Sequence, residues 1–444
     1  MKAIDGLLTD LYELTMSAGY FQAGKSEEKA TFELTVRRLP KKRNFVIVAG
    51  LEQVVEYLLE LHITGGEIDY LRRLPQFANA PQGFFERLRD LRFTGDLFAA
   101  PEGTVLFAGE PVLNVRAPLI EAQIPETYLL SMIGYQSMVA TKAARIVETA
   151  RGRGVVEFGT RRAHSPEAGV LGGRAAYIGG CVGTSNTLSG YRFGIPVYGT
   201  AAHSWVQSFV DESESFRELQ KLLGAFTIYI VDTYDTLEGT RRAAALGKPI
   251  QGIRLDSGDL GALARQARVI LDEAGLPDAK IMASGDLDEY KIRKLVNEGA
   301  PIDSFGVGTE LVTSADAPNL GVVYKMVEVE NGGVKRYTAK FSEDKVTLPG
   351  AKQIFRYPDR DVIGRASECP PSASQVEALV RPVILGGSLV EPLPGAAAVR
   401  ERAAESLQRL PKACRRLRAP KPYHIEHSAK LLALAEQSRK GLTV

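Results

Sequence analysis

Only three cysteines occur, Cys181, Cys369 and Cys414, far apart and odd in number. This excludes a disulfide framework and a cysteine-rich zinc site, both of which need paired spacings, and points to a reducing compartment. Charge of one sign is missing too. Fifty-five Lys and Arg face 53 Asp and Glu, for a net charge of +2, so composition carries no nucleic-acid footprint and any anion site must be local. No apolar run approaches the ~20 residues that span a bilayer. Asp5, Asp10 and Glu13 interrupt the amino terminus where a signal peptide would need an uncharged core. The expectation is a cytoplasmic protein with no membrane or nucleic-acid partner.

What is present is the material for a large core: 45% hydrophobic and 24% charged residues, the usual globular balance. At 444 residues the chain exceeds the roughly 250 to 300 at which single cores stop growing, so two or three domains are expected. We place a mixed α/β domain at 1–121, an α/β barrel carrying the chemistry at 122–320, and a carboxy-terminal region at 321–444 packing on the first. Leu51 to Leu61 has helical spacing, and Thr31 to Val36 alternates like a strand. Tyr324 to Glu330 and Val334 to Lys340 flank a glycine turn and read as a hairpin. Lys412, Arg415, Arg416 and Arg418 fall in a stretch read as helical, with a solvated face.

Between Val155 and Thr309, seven short apolar runs are each followed by a polar or glycine-rich turn and a helical stretch. They are Val155 to Phe158, Gly180 to Val182, Pro196 to Tyr198, Thr227 to Val231, Gly252 to Leu255, Lys280 to Met282, and Ser304 to Val307. Their spacing suits βα units of ~30 residues or less. The expected fold is α/β: an irregular seven- or eight-stranded TIM-like barrel, with the mixed α/β domain built from the two terminal regions. The barrel is preferred to an open parallel sheet because seven units run in succession without a dinucleotide-binding fingerprint.

Nearly every predicted strand ends in a cluster suited to anions or acid-base work, and parallel strands would place these clusters on one rim. Glycine-Ser and glycine-Thr turns before helices offer backbone N–H groups and the helix dipole to phosphates; Ser257, Gly258, Ser284, Gly285, Asp286, Gly306, Gly308 and Thr309 are the candidates. Arg161 and Arg254 could grip a planar carboxylate, or pair with Glu157 and Asp256 as rim salt bridges. Asp256 and Asp286 suit Mg²⁺, which takes one or two protein carboxylates beside substrate phosphates, and either could instead cap a helix. His203, one of five histidines, follows a strand end and could act as base or nucleophile. Cys181 has no evident local base and reads as a buried small hydrophobe. No lysine ends a predicted strand as a Schiff-base nucleophile would.

Taken in order, these motifs resemble the nicotinate phosphoribosyltransferases. The markers are Leu8 to Met16, Arg37 to Gly50, Glu157 to Arg162, Gly199 to Trp205, Arg254 to Asp259 and Phe305 to Thr309, spread over almost the whole chain. The resemblance implies transfer of phosphoribose from phosphoribosyl pyrophosphate to the ring nitrogen of nicotinate, with Mg²⁺, and with ATP as co-substrate phosphorylating His203. It implies a homodimer with shared active sites, in which Tyr12 of a neighbouring subunit and Phe158 sandwich the pyridine. Thr200, Arg254 and Arg161 would lie at the nicotinate, and Gly308 and Thr309 at the phosphoribosyl diphosphate. Asp256 would be a substrate-orienting or metal-linked carboxylate beside the catalytic His203 and Arg254.

Ser185 stands where the nicotinamide enzymes are expected to carry Asp, a group that would repel a carboxylate, so nicotinate is the expected acceptor. His164 departs from an expected neutral amide and puts only local hydrogen bonding in doubt. Whether Arg37, Arg38, Lys41, Lys42 and Arg43 reach phosphate or face solvent stays open. The alternatives are a nicotinamide or quinolinate phosphoribosyltransferase, the latter needing more positive charge, and a catalytically silent phosphate-binding barrel.

Overall fold

A computed structural model of the chain describes residues 6–340, 347–369 and 376–441. The chain divides into two compact units, one formed by Met1–Ser137, Asn319–Pro394 and Glu405–Val444, the other by Met138–Pro318 and Gly395–Ala404.

In the first unit a seven-stranded antiparallel sheet interleaves the two ends of the chain. Its order is Val334–Tyr337, Gly321–Asn331, Lys29–Arg38, Pro111–Pro118, Asp96–Ala99, Arg381–Leu385, Ser388–Leu389. The strand expected at Thr31 to Val36 is there, but Ala30 to Leu34 are all buried and the expected alternation is lost. A strand covered on both faces has no solvent side to keep polar, and Glu33 is accommodated by an ion pair to Lys352 at 2.9 Å. The hairpin closes as expected, with Asn331 opposite Val334. Its two loop residues, Gly332 and Gly333, have φ of 57° and 81°, the left-handed pair that a two-residue turn requires. The basic stretch at Lys412 to Arg418 is not helical. It lies in turns between helix Ala396–Arg409 and strand Ile425–His427, where Pro411, Pro420 and Pro422 deny the backbone its helical donors.

The second unit holds a six-stranded parallel sheet of β1 (Gly154–Glu157), β2 (Gly183–Thr184), β3 (Ile228–Ile230), β4 (Gly252–Leu255), β5 (Lys280–Ala283) and β6 (Ser304–Val307). The order across it is β2-β1-β6-β5-β4-β3. Six of the seven expected runs supply these strands, the second displaced to Gly183–Thr184. The seventh, Pro196 to Tyr198, makes only a single parallel bridge, Thr184 to Val197, because Pro196 has no N–H to give a ladder. β4 is buried at every position, as a parallel strand covered on both faces should be.

The crossover helices begin where a side chain can take up their first free N–H groups. Ser165, Asn186, Asp235, Asp259 and Asp288 each accept from a backbone N–H of the helix that follows. Asp259, at the end of the Arg254 cluster, is therefore a cap: its Oδ1 accepts from Gly261 and Ala262 at 3.1 and 3.0 Å. Behind the sheet the Lys142 ammonium, 1% exposed, lies 2.6 Å from Glu289 and 2.9 Å from Asp316, so a desolvated charge is fully paired. Asp259→Ala should destabilise the start of helix Leu260–Glu273, read as faster amide hydrogen exchange in its first turn with the far end of the helix unchanged.

Candidate active site

Parallel pairing delivers the carboxyl ends of all six strands to one edge, and the polar clusters follow. Arg254, the third residue of β4, is 9% exposed and is held at each nitrogen. Its Nε donates to Ser284 Oγ at 2.7 Å, Nη1 to Thr200 Oγ1 at 2.8 Å and Nη2 to Asp256 Oδ1 at 2.7 Å. Ser284 in turn donates to Asp256 Oδ1. Burial works against a charge on Asp256. The Ser284 hydrogen bond, the Arg254 guanidinium and His203 outweigh it and hold the carboxyl below its ordinary range. The rim salt bridge open to Arg254 in the sequence thus exists, as one arm of a three-armed clasp.

His203 opens the short helix His203–Gln207. Its Nδ1 lies 3.1 Å from Thr233 Oγ1, and its Nε2 faces two carboxylates, Asp256 Oδ2 at 3.8 Å and Asp232 Oδ1 at 3.9 Å. The Asp232 side chain is 2% exposed. Its Oδ2 accepts from Ser257 at 2.5 Å, and its Oδ1 is buried with no hydrogen-bond partner. Asp232 and Thr233 were missed in the sequence, although they end the Thr227 to Val231 run just as Asp256 ends β4. Position at a strand end was the available signal.

Phe158, just past β1, donates its backbone N–H to Val307 at 2.8 Å. Its ring lies over Gly306, where a Cβ would come within 2.5 Å of it, and the Arg254 guanidinium carbon is 5.3 Å from the ring centre. Glycine at 306 is therefore required by the ring. Ser185, beside it, donates its N–H to the Glu157 carbonyl at 2.9 Å. Phe158, Thr200, His203, Arg254, Asp256 and Ser284 thus form one connected cluster.

Other candidates sit differently. Arg161 is exposed in the turn Thr160–Arg162 and makes no ion pair with Glu157 among the described residues; Glu157 takes its hydrogen bonds from Thr184 and the Gly159 N–H. Asp286 is exposed with φ of 46°, and the cap its position suggested is supplied by Asp288. The turn before it needs Gly285, at φ 96°, because a Cβ there would meet the Asp256 carbonyl oxygen at 2.0 Å. Ser257 is committed to Asp232, while Gly258 has φ of 80°. Gly308 precedes the exposed Thr309, which opens the helix Thr309–Val312. Cys181 is fully buried, and burial pushes its thiol up, which suits a packed hydrophobe. His164 is exposed.

Tyr12 belongs to the first unit, on helix Leu11–Gln22, with 45% of its surface exposed. Burial of the phenol and the neighbouring Glu126, to which it hydrogen bonds, push its pKa up. Arg37, of the basic segment, lines a cavity in that unit with Lys325 and Lys352. No group of three or more His, Cys, Asp or Glu side chains forms a metal cage among the described residues.

Ser284→Ala removes the hydrogen bond that does most to keep Asp256 ionised. Its carboxyl should titrate at a higher pH than in the wild type, read by carboxyl-carbon NMR; an unmoved transition would refute this account.

Three family models match the chain: the nicotinate phosphoribosyltransferase N-terminal domain over 7–134, the nicotinate phosphoribosyltransferase family over 154–340, and the C-terminal domain over 352–435. Among curated proteins, a nicotinate phosphoribosyltransferase of Mycobacterium tuberculosis is 42% identical over 93% of this chain and 89% of its own. That of Bacillus subtilis is 46% identical over 79% of this chain and 72% of its own. Among solved structures, human nicotinic acid phosphoribosyltransferase is similar with a TM-score of 0.83 at 31% identity, covering 97% of this chain and 100% of that one.

Proposed function

Since this chain belongs to the nicotinate phosphoribosyltransferase family, we propose that the rim around Arg254 is where nicotinate and phosphoribosyl pyrophosphate are joined, giving nicotinate mononucleotide and diphosphate. The observation that carries this is the single cluster in which Phe158, Thr200, His203, Arg254, Asp256 and Ser284 meet.

The pyridine stacks on Phe158, with its carboxylate toward the Arg254 and Thr200 side. Nη1 and Nη2 of Arg254 each keep a second N–H beyond the bonds described, enough for a carboxylate oxygen apiece. Arg161, exposed in the turn after β1, is the further candidate for the carboxylate. Ser185 leaves that pocket without the negative charge that would exclude an acid. The ring nitrogen attacks the anomeric carbon as the bond to the diphosphate oxygen breaks, the electron pair leaving with the diphosphate. The backbone turns at Ser257-Gly258, Ser284-Gly285-Asp286 and Gly306 to Thr309 hold the ribose phosphate and diphosphate.

Mg²⁺ would neutralise the diphosphate as it leaves. It needs one or two protein carboxylates, and the fit is best for Asp256 with Asp232, whose Oδ1 is buried without a donor; Asp286 is the further candidate. ATP is the co-substrate, and His203 Nε2, unblocked because Thr233 takes Nδ1, attacks its terminal phosphorus and releases ADP. Water later cleaves the phosphohistidine to phosphate.

The second half of the pyridine sandwich is Tyr12 of a second copy. Leu8, Leu11, Tyr12 and Met16 form an exposed apolar row in the first unit, and Leu188, Tyr191, Val197 and Tyr198 are exposed in the second. A homodimer that brings one set to the other removes both from water. We also propose that the six-stranded sheet, extended by the Val197 bridge, curls into the irregular barrel, in a cytoplasmic protein.

Purified protein given nicotinate, phosphoribosyl pyrophosphate, Mg²⁺ and ATP should form nicotinate mononucleotide by chromatography, with nicotinamide a poor substrate; equal use of nicotinamide would reject the role of Ser185. His203→Ala should abolish the stimulation by ATP. Tyr12→Ala should raise the KM for nicotinate, and an unchanged KM would remove the contact in trans.

A further inference from the structure

β1 ends in a carboxyl group that the mechanism leaves unused. Glu157 is 0% exposed, and no Lys, Arg or His forms an ion pair with it among the described residues. Burial pushes its pKa up, opposed only by hydrogen bonds from Thr184 and the Gly159 N–H. A buried carboxyl without a counter-ion is costly, so its two partners show what it does. Its Oε2 accepts from Thr184 Oγ1 at 2.6 Å, and its Oε1 accepts from the backbone N–H of Gly159.

Gly159 directly follows Phe158. Thr184 directly precedes Ser185, and Thr184 Oγ1 also accepts from the Asn186 N–H at 3.0 Å. The carboxyl therefore ties together two turns on neighbouring strands, one carrying the aromatic ring and the other the serine. The same residue's carbonyl takes the Ser185 N–H at 2.9 Å, which makes a second tie. The surroundings are close-packed: a Cβ at Gly159 would lie 2.6 Å from Val312 and 2.7 Å from Glu157 Oε1, and one at Gly173 would lie 2.8 Å from Ser189 Oγ and 3.0 Å from Thr184 Oγ1.

We propose that Glu157 and Thr184 are positioning residues that set the separation between Phe158 and Ser185, and through it both affinity for nicotinate and its selection over nicotinamide. This rests on the reading that Phe158 and Ser185 face the pyridine. The side-chain bonds of the clasp join Glu157, Thr184, Gly159 and Asn186, none of them in a phosphoribosyl turn or at His203, and the backbone pairing of Glu157 with Val307 does not depend on them, so their loss acts on the pyridine before the sugar diphosphate. A functional site must be held to within roughly 0.5 Å of its productive geometry by the residues that support it.

The experiment compares Thr184→Val, which keeps shape and removes the hydroxyl, with Thr184→Ser, which keeps the hydroxyl. For Thr184→Val the KM for nicotinate should rise about tenfold while kcat and the KM for phosphoribosyl pyrophosphate stay within about twofold. The preference for nicotinate over nicotinamide in kcat/KM should fall, and Thr184→Ser should restore both. Glu157→Gln, which keeps the volume and the bond from Gly159 but turns the acceptor at Thr184 into a donor, is the second variant and should show the same split. The proposal is overturned if both Thr184→Val and Glu157→Gln leave the KM for nicotinate unchanged while Phe158→Ala raises it. It is equally overturned if the two variants raise the KM of both substrates alike. If Phe158→Ala itself leaves the KM for nicotinate unmoved, the pyridine-site reading has failed, and this result tells that failure apart from one of the clasp.

Discussion

Arg254 carries a permanent charge into a strand end that water barely reaches, and the cost of desolvating it is met only if each face of the guanidinium finds an acceptor. The acceptors come from three separate segments: Thr200 before the short histidine helix, Asp256 after β4 and Ser284 after β5. Satisfying one buried cation therefore fixes three loops relative to one another. The same constraint orients Asp256, whose Oδ1 is taken by Arg254 and Ser284, so that its Oδ2 is the oxygen left toward His203. The planar fork matters here. An ammonium in its place would offer a point charge and could not hold three segments in one plane.

A second consequence concerns shape. The Phe158 ring lies over β6 because Gly306 has no side chain, and it carries the Arg254 guanidinium at its face. A flat apolar surface and a cation thus adjoin, which is the complement of an aromatic acid. Neither residue would recognise such a ligand alone, since a ring without the charge accepts any flat molecule and a charge without the ring accepts any anion.

Much of this could be read in the sequence, for a physical reason. Parallel strands buried on both faces become short apolar runs, and their ends must carry whatever polar groups the rim needs, so Arg254, Asp256 and Ser284 are legible from position, whereas Phe158 is singled out only by the family resemblance. What could not be read depends on which partner a polar residue chooses. Asp259 and Asp288 serve as caps, Ser257 is held by Asp232, and Arg161 stays at the surface; the same residue types would look identical if bound to phosphate. Pro196 to Tyr198 has the composition of a strand, but Pro196 cannot donate, and only one bridge forms. In the first unit, the central place of Lys29–Arg38 in its sheet follows from pairing with Gly321–Asn331, a partner nearly three hundred residues away that no local window contains.

The surroundings of His203 bear on why phosphoryl transfer at this residue could drive a separate reaction. Its Nε2 faces two carboxylates within 4 Å. On the proposed reading a phosphoryl group attached there places negative charge beside both. At an effective dielectric constant of about 20, two unit charges ~4 Å apart repel by about 4 kcal/mol, so a phosphohistidine in this setting is stable only while cations stand between the charges. On the same reading, phosphoribosyl pyrophosphate binding with Mg²⁺ would supply that cation, and its conversion to products would take it away. The phosphorylated state would then favour the substrate complex and the unphosphorylated state the release of products, which is the differential affinity that coupling between two reactions requires. The buried Asp232 Oδ1, with no donor of its own, is the part of this arrangement that stability alone does not account for.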